Sequence, residues 1–146
     1  MFAAAPLAYR AHSGASAVGL YRQTSVQTGV AAASPHRLVT MLFDGLLEDI
    51  ALAKGAIADG QIELKGRALG RAVRIVDEGL RACLDLKSGG KLAADLHELY
   101  AYITKRLTQA NLRNDVAALD ECKRLVDPLR DAWLAIAPKV ERPVNA

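Results

Sequence analysis

The chain has 146 residues, of which 51% are hydrophobic, 24% charged and 5% aromatic, and its formal net charge at pH 7 is +3. This length supports one domain with its own hydrophobic core, and an apolar content supplied mainly by alanine and leucine favours close-packed helices over a β-sandwich. Acidic and basic residues are interspersed, so no focused basic patch indicates a nucleic-acid partner, and no run approaches the roughly 18 apolar residues needed to insert across a membrane.

Residues 1–33 are rich in Ala, Gly, Ser and Thr and have no sustained helical period, which predicts a flexible N-terminal arm. Val18, Leu20 and Tyr21 are the bulky residues within a run of small ones. We expect them to form a short helical cap, near residues 16–22, that docks on the rest of the chain. The arm has no basic stretch followed by an uninterrupted apolar core, so a signal peptide is not predicted and a cytoplasmic protein is the simplest interpretation.

A first helix is predicted to begin at Ser34 and Pro35, because serine caps helix N-termini and proline suits the first helical position. Asp59 and Gly60 are expected to end it near residue 58. Its core face is the apolar stripe Val39, Leu42, Leu46, Ile50, Ala53 and Ile57. The second helix is predicted over residues 62–86, followed by a glycine-containing turn at residues 88–90.

The third helix, over residues 91–112, carries two neighbouring stripes. Leu96, Leu99, Ile103, Leu107 and Ala110 recur at three- and four-residue steps, whereas Tyr100 and Thr104 begin a second stripe beside them. A helix with two such stripes can fill a core with one and offer the other to a partner. Tyr100 and Tyr102 lie about 200° apart on a helical projection, so at most one of the two can face the core.

A fourth helix is predicted from a cap at Asn114 or Asp115 to Pro138, and Pro128 is expected to kink it. Trp133 is interpreted as an interhelical anchor. Four long helices joined by turns of two to four residues must place neighbours antiparallel. The sequence therefore predicts an all-α protein in which residues 34–138 form an antiparallel up-down-up-down four-helix bundle, and residues 139–146 form a loose C-terminal tail.

The chemistry of an enzyme is missing from the sequence. No histidine lies three residues after a glutamate, as a di-metal carboxylate bundle would require, and there is neither a nucleophile elbow nor a phosphate-binding loop. His36 is expected to be solvated and His97 to lie at the surface or its boundary. The carboxylates Asp44, Glu48 and Asp49 are interpreted as a solvated face, with Asp44 partly buried and hydrogen-bonded to the arm. Cys83 and Cys122 lie in helical apolar patterns without metal or redox spacing and are interpreted as reduced packing residues. We expect no catalytic residue, no cofactor and no metal.

Several motifs, taken in order, resemble the flagellin export chaperone family, FliS. The first helix carries SPxxLxxMLFDG, the third begins with GG followed by LxxLYxY, the next turn reads ANLRND, and DAW lies near the end. The resemblance covers about residues 18–139. It implies an antiparallel bundle with an N-terminal cap, whose client is the disordered C-terminal segment of newly made flagellin. It further implies that premature polymerisation is blocked and that the loaded chaperone is delivered to the flagellar type III export gate. By the same resemblance, Val18 and Tyr21 fall in the part of the arm that influences client binding.

A filament-forming segment has apolar faces that a groove could cover by helix-in-groove recognition. The residues predicted to bind the client are Val18, Tyr21, Ile75, Leu86, Tyr100, Leu107 and Leu125. The alternative is a structural helical-bundle adaptor that acts through another helical partner or by dimerisation, since the second stripes could pair two copies when no client is bound.

Overall fold

The computed structural model describes residues 33–136. The expectations for the arm and its cap, including Val18 and Tyr21, and those for the C-terminal tail lie outside the described residues.

Helix α1 runs from Pro35 to Ala58 and is capped as its sequence predicts. Ser34 is extended, and its side chain accepts a hydrogen bond from the backbone N–H of Arg37 at 3.0 Å. At the other end Asp59 is the C-cap residue, and Gly60 reverses the chain with a φ of 69°. The start and the end of this helix are thus confirmed, because both depend on side chains next to them in sequence.

Helix α2 runs from Ile62 to Arg74 and continues as a π-helical segment from Ile75 to Arg81. The predicted end at residue 86 is wrong. The carboxylate of Asp85 accepts hydrogen bonds from the backbone N–H groups of Lys87 and Ser88, at 3.2 and 3.1 Å. Such local bonds offer the backbone an alternative to the helix, so residues 82–89 form a connection longer than the turn that we expected.

Helix α3 runs from Gly90 to Arg113 and helix α4 from Val116 to Ala135. Asn114 ends α3 in the left-handed conformation, with a φ of 52°, and Asp115 caps α4 by accepting from the N–H of Ala118 at 3.1 Å. Pro128 lies inside α4, which continues past it. The bend expected at Pro128 stays a prediction.

Contacts between α1 and α4, and between α2 and α3, show that the helices of both pairs are antiparallel. His36 at the start of α1 bonds to Trp133 near the end of α4, and Lys54 near the end of α1 pairs with Asp120 near the start of α4. Likewise Lys65, in the first turn of α2, reaches the carbonyl of Asn111 in the last turn of α3. These contacts confirm the predicted all-α, up-down-up-down bundle.

Side chains from every helix fill one continuous core. Its largest fully buried members are Tyr100, Phe43, Leu42, Leu46, Ile50, Leu69, Leu80, Ile103, Leu107, Leu119 and Val76. Among the described residues, none of the helices combines the length and the apolar character that crossing a membrane requires.

Candidate functional site

Five of the residues predicted to bind a client lie in the part of the chain that the structure describes, and these five do not meet in one groove. Tyr100 is 1% exposed, Leu107 is fully buried and Ile75 is 4% exposed, so all three belong to the core. Leu86 is 54% exposed but lies in the connection before α3, whereas Leu125 is half-buried on α4. Of these five residues, only Leu125 lines the apolar seam described below.

The core face of α3 draws on both stripes, since Ile103, Leu107 and Ala110 of the first stripe are fully buried. Tyr100 enters the core fully, while Leu96 and Leu99 are only partly buried against it. Tyr102 is 42% exposed, which confirms that one tyrosine at most faces the core. Helical spacing identifies which residues share a face, but it cannot say which of two adjacent apolar faces the other helices will cover.

An apolar seam follows the line where α3 and α4 pack together. Tyr102 and Arg106 of α3 both bond to Glu121 of α4, which identifies the side that each helix turns toward the other. Leu99 lies three residues before Tyr102 and seven before Arg106, and Leu125 lies four residues after Glu121, so these leucines share that side. Further helical steps reach the other apolar residues, whereas Asp95 and Glu98, seven and four residues before Tyr102, are exposed. We call this surface the α3/α4 groove; its residues are Leu92, Leu96, Leu99, Tyr102, Leu125, Leu129 and Ile136.

The α3/α4 groove remains open to solvent although it touches the core. Leu92 is 55% exposed, and the other leucines and Ile136 are partly buried against the core cluster. Apolar side chains that are half covered can give up their remaining exposed area to a ligand at little cost in rearrangement. The groove is therefore suited to binding an apolar helix face.

A polar bridge closes one end of this groove. Tyr102 Oη donates to Glu121 Oε2 at 2.7 Å, Arg106 Nε donates to Glu121 Oε1 at 2.6 Å, and Arg106 Nη1 donates to Gln109 Oε1 at 2.8 Å. The hydrogen bonds from Tyr102 and from Arg106 lower the pKa of Glu121, and the bond to Glu121 raises the pKa of Tyr102. At neutral pH the bridge therefore holds a carboxylate and a protonated phenol.

Polar contacts cross the other three seams of the bundle. Asp44 pairs with Arg130, and Lys54 with Asp120, between α1 and α4. Arg71 binds Asp49 between α1 and α2. Between α2 and α3, Lys65 Nζ donates to the Asn111 carbonyl and to Asn114 Oδ1, Thr104 donates to Asp77, and Arg81 donates to His97.

Two expectations about polar residues on α1 are wrong. His36 is 2% exposed rather than solvated, because its ring stacks on Trp133 and its Nε2 donates to the Trp133 carbonyl. Asp49 is 1% exposed and is bound in a two-pronged ion pair by Arg71. Desolvation raises the pKa of Asp49, and the bond to Arg71 opposes that rise. Asp44 is partly buried as expected and pairs with Arg130. Its bond to the arm stays a prediction, because the arm lies outside the described residues.

The described residues offer no arrangement for metal or thiol chemistry. They contain no group of three or more His, Cys, Asp or Glu side chains placed to hold a metal ion. Burial raises the pKa of the Cys83 and Cys122 thiols to about 11, so neither is a reactive thiolate at neutral pH. Both cysteines pack in the core, as the sequence predicts.

Sequence reasoning missed Leu92, Leu129, Ile136 and the bridge between Tyr102 and Glu121. The signal in the sequence was the short connection at Asn114 and Asp115, which places α3 and α4 antiparallel. In the structure Ile103 lies opposite Cys122, whose Sγ is 3.9 Å from the Ile103 carbonyl. Because the two helices are antiparallel, earlier positions on α3 face later positions on α4, so Leu99 and Leu96 lie toward Leu125 and Leu129.

Comparison with known proteins gives one consistent result. The sequence profile of the family described as "Flagellar protein FliS" matches residues 17–140. A protein of Salmonella typhimurium named "Flagellar secretion chaperone FliS" is 45% identical over 125 residues, which cover 86% of this chain and 93% of the relative. An Escherichia coli protein of the same name is 43% identical over 113 residues, covering 77% and 83% of the two chains. The Pseudomonas aeruginosa "Flagellar secretion chaperone FliSB" is 42% identical over 117 residues, covering 80% and 92%.

Proposed function

The chain belongs to the FliS family, whose members are flagellar secretion chaperones and not enzymes, and we propose that it binds the disordered C-terminal segment of flagellin in the α3/α4 groove. The observation that carries this proposal is the presence of half-buried apolar residues on both helices that line the groove, such as Leu99 on α3 and Leu125 on α4.

The chemistry of the groove suits a client that would otherwise polymerise. A segment that packs as helices in a filament has apolar faces that pair with copies of itself, and an apolar groove can cover one such face. Ordering a disordered segment costs about 2–5 kcal/mol, so tight binding requires about 1,000–3,000 Å² of buried surface. The groove alone supplies part of this area, and we expect the client to continue onto neighbouring surface.

The same proposal includes where and how the chaperone acts. It holds flagellin in the cytosol, prevents premature polymerisation, and delivers the client to the flagellar type III export gate. Binding through apolar contacts allows release without ATP hydrolysis, because no covalent bond or nucleotide is involved.

Calorimetric titration with the isolated C-terminal segment of flagellin from the same cell tests this proposal. We expect stoichiometric binding with a large negative heat-capacity change, the mark of apolar burial coupled to folding. Leu125→Asp should weaken binding by about 30-fold or more, because it places a charge in the groove. Leu112→Asp is the matched control, since Leu112 is 78% exposed at the end of α3 and outside the groove.

Circular dichroism should show that both variants remain helical. If the wild-type chain did not bind at tens of micromolar, the chaperone proposal would fail, and a helical adaptor with another partner would take its place. Equal loss of binding in Leu125→Asp and Leu112→Asp would remove the groove from the proposal.

A further inference from the structure

The polar bridge lies where the apolar part of the α3/α4 groove ends. Tyr102 is 42% exposed and belongs to both parts: its ring continues the apolar wall begun by Leu99, and its hydroxyl reaches Glu121. A tyrosine at such a boundary can pack against an apolar ligand and hydrogen-bond to it at the same time.

The apolar part of the groove has a definite length. From Leu125 to Ile136 the axis of α4 advances by about 16 Å, at about 1.5 Å per residue. A bound helix of about three turns fills that distance, with apolar residues at steps of three and four. One turn further, its next inward side chain meets the bridge rather than another leucine.

The bridge has hydrogen-bond acceptors to offer at that point. The Tyr102 hydroxyl donates its proton to Glu121 and keeps acceptor capacity of its own. The Glu121 carboxylate receives one bond on each oxygen, from Tyr102 and from Arg106, and each oxygen can accept a second. The hydrogen bonds that lower the pKa of Glu121 keep it ionised, so a donor from the ligand would meet a charge-assisted acceptor.

We infer that Tyr102, together with Glu121, is a specificity-determining element of the groove that accepts a hydrogen bond from one donor side chain of the client helix, an amide, a hydroxyl or a cation, and thereby fixes the register of that helix. This inference rests on the proposed function. Apolar contacts alone tolerate a shift of the client by one turn, because leucines at helical spacing repeat. A polar contact that the client covers does not, since a shifted client would bury its donor without an acceptor.

A double-mutant cycle tests the inference against a merely structural role for the bridge. Tyr102→Phe keeps the ring and removes the hydroxyl, and each donor side chain of the flagellin segment is replaced in turn by alanine. We expect a single position in the segment to couple to Tyr102, with a coupling factor of about 3- to 10-fold in affinity. A bridge that only stabilised the bundle would weaken every segment by the same factor.

The matched control is Thr108→Ala. Thr108 lies on α3, is exposed, and donates to the Thr104 carbonyl on the side of α3 that faces α2. It should couple to no position of the segment. If all cycles with Tyr102→Phe were additive within about twofold while the wild-type chain bound the segment, the inference would be overturned and the proposed function would stand. Absence of binding to the wild-type chain would overturn both.

Discussion

His36 and Trp133 exchange hydrogen bonds in both directions between the first turn of α1 and the last turn of α4. His36 Nε2 donates to the Trp133 carbonyl at 2.9 Å, and Trp133 Nε1 donates to the His36 carbonyl at 3.0 Å. The rings stack with centroids 4.6 Å apart and planes 7° from parallel. Because a carbonyl can only accept, the Nε2 atom of His36 carries a proton. The pair joins the first and the last helix of the bundle.

The first prediction concerns this pair. His36→Ala removes the stacking contact and one buried hydrogen bond, and should lower the free energy of unfolding by about 2–3 kcal/mol. Urea denaturation followed by circular dichroism measures the change. Arg37→Ala, at the exposed neighbouring position, is the control and should change it by less than about 0.5 kcal/mol. If His36→Ala and the wild type had equal free energies of unfolding, the pair would contribute nothing to holding α1 against α4.

The second prediction compares two glycines of the second helical element. Gly70 has open space where the methyl group of an alanine would lie, whereas a Cβ at Gly79 would lie 3.0 Å from Leu42 Cδ2 and 3.1 Å from Leu42 Cδ1. Gly70→Ala should stabilise the protein by about 0.5–1 kcal/mol, because alanine loses less backbone entropy in a helix.

Gly79→Ala should instead destabilise the protein by about 1 kcal/mol or more. Leu42 is 1% exposed and has little room to move, so the added methyl group overpacks the contact between α1 and the π-helical segment. Thermal unfolding of the two variants should therefore shift in opposite directions. If the melting temperature rose in both variants, α1 and this segment could move apart without a cost in stability.

The third prediction is a pH dependence that comes from Asp49. Desolvation raises its pKa in the folded state above the unfolded value of 3.8, so the folded protein binds the proton more readily. The contribution of Asp49 to stability must then fall as pH rises from 3.8 through the raised pKa, and level off above it. Asp49→Asn removes this dependence.

Unfolding free energies of wild type and Asp49→Asn, measured from about pH 3.5 to about pH 7, check the sign. The difference, wild type minus variant, should decrease as pH rises. Leu112→Ala, at an exposed position without a titratable group, is the control and should leave the pH profile unchanged. A difference that increased with pH would mean that the bond to Arg71 outweighs desolvation.

A structural feature could be predicted from the sequence when the residues that determine it are close together along the chain. Ser34 and Asp115 cap helices through bonds to residues three positions away, so the cap at Ser34 and a cap at Asn114 or Asp115 could be predicted. The burial of His36 and Asp49 depends on Trp133 and Arg71, which are remote in sequence. That Tyr100 is buried while Leu99 is only partly buried depends on how α3 is rotated against its neighbours, and no local pattern contains that information.

The fourth prediction concerns the N-terminal arm. We hypothesise that the arm, through Val18 and Tyr21, occupies part of the client groove when flagellin is absent. A competing segment reduces the apparent affinity by the fraction of time that it occupies the site. Deleting residues 1–21 should then raise the affinity for the flagellin segment by about threefold or more in calorimetry, and Tyr21→Ala should give part of that gain. If the deletion variant bound the segment with unchanged affinity, the arm would not compete for the groove and would act as a static cap.

The fifth prediction compares a substitution in the core, at Leu107, with one in the α3/α4 groove, at Leu125. Leu107 is fully buried, so Leu107→Asp places an unpaired carboxylate in the core at a cost of several kcal/mol, against a typical total stability of about 5–15 kcal/mol. We expect this variant to lose its cooperative thermal transition, so that any loss of client binding follows from unfolding. Leu125→Asp can turn its carboxylate toward solvent and should keep both the transition and the helical spectrum while losing the client.

If Leu107→Asp remained folded with an unchanged melting temperature and yet failed to bind, Leu107 would have to reach the surface in the state that binds flagellin. The closed bundle would then be the resting form of the chaperone, and the groove would have to open between its helices before the client enters.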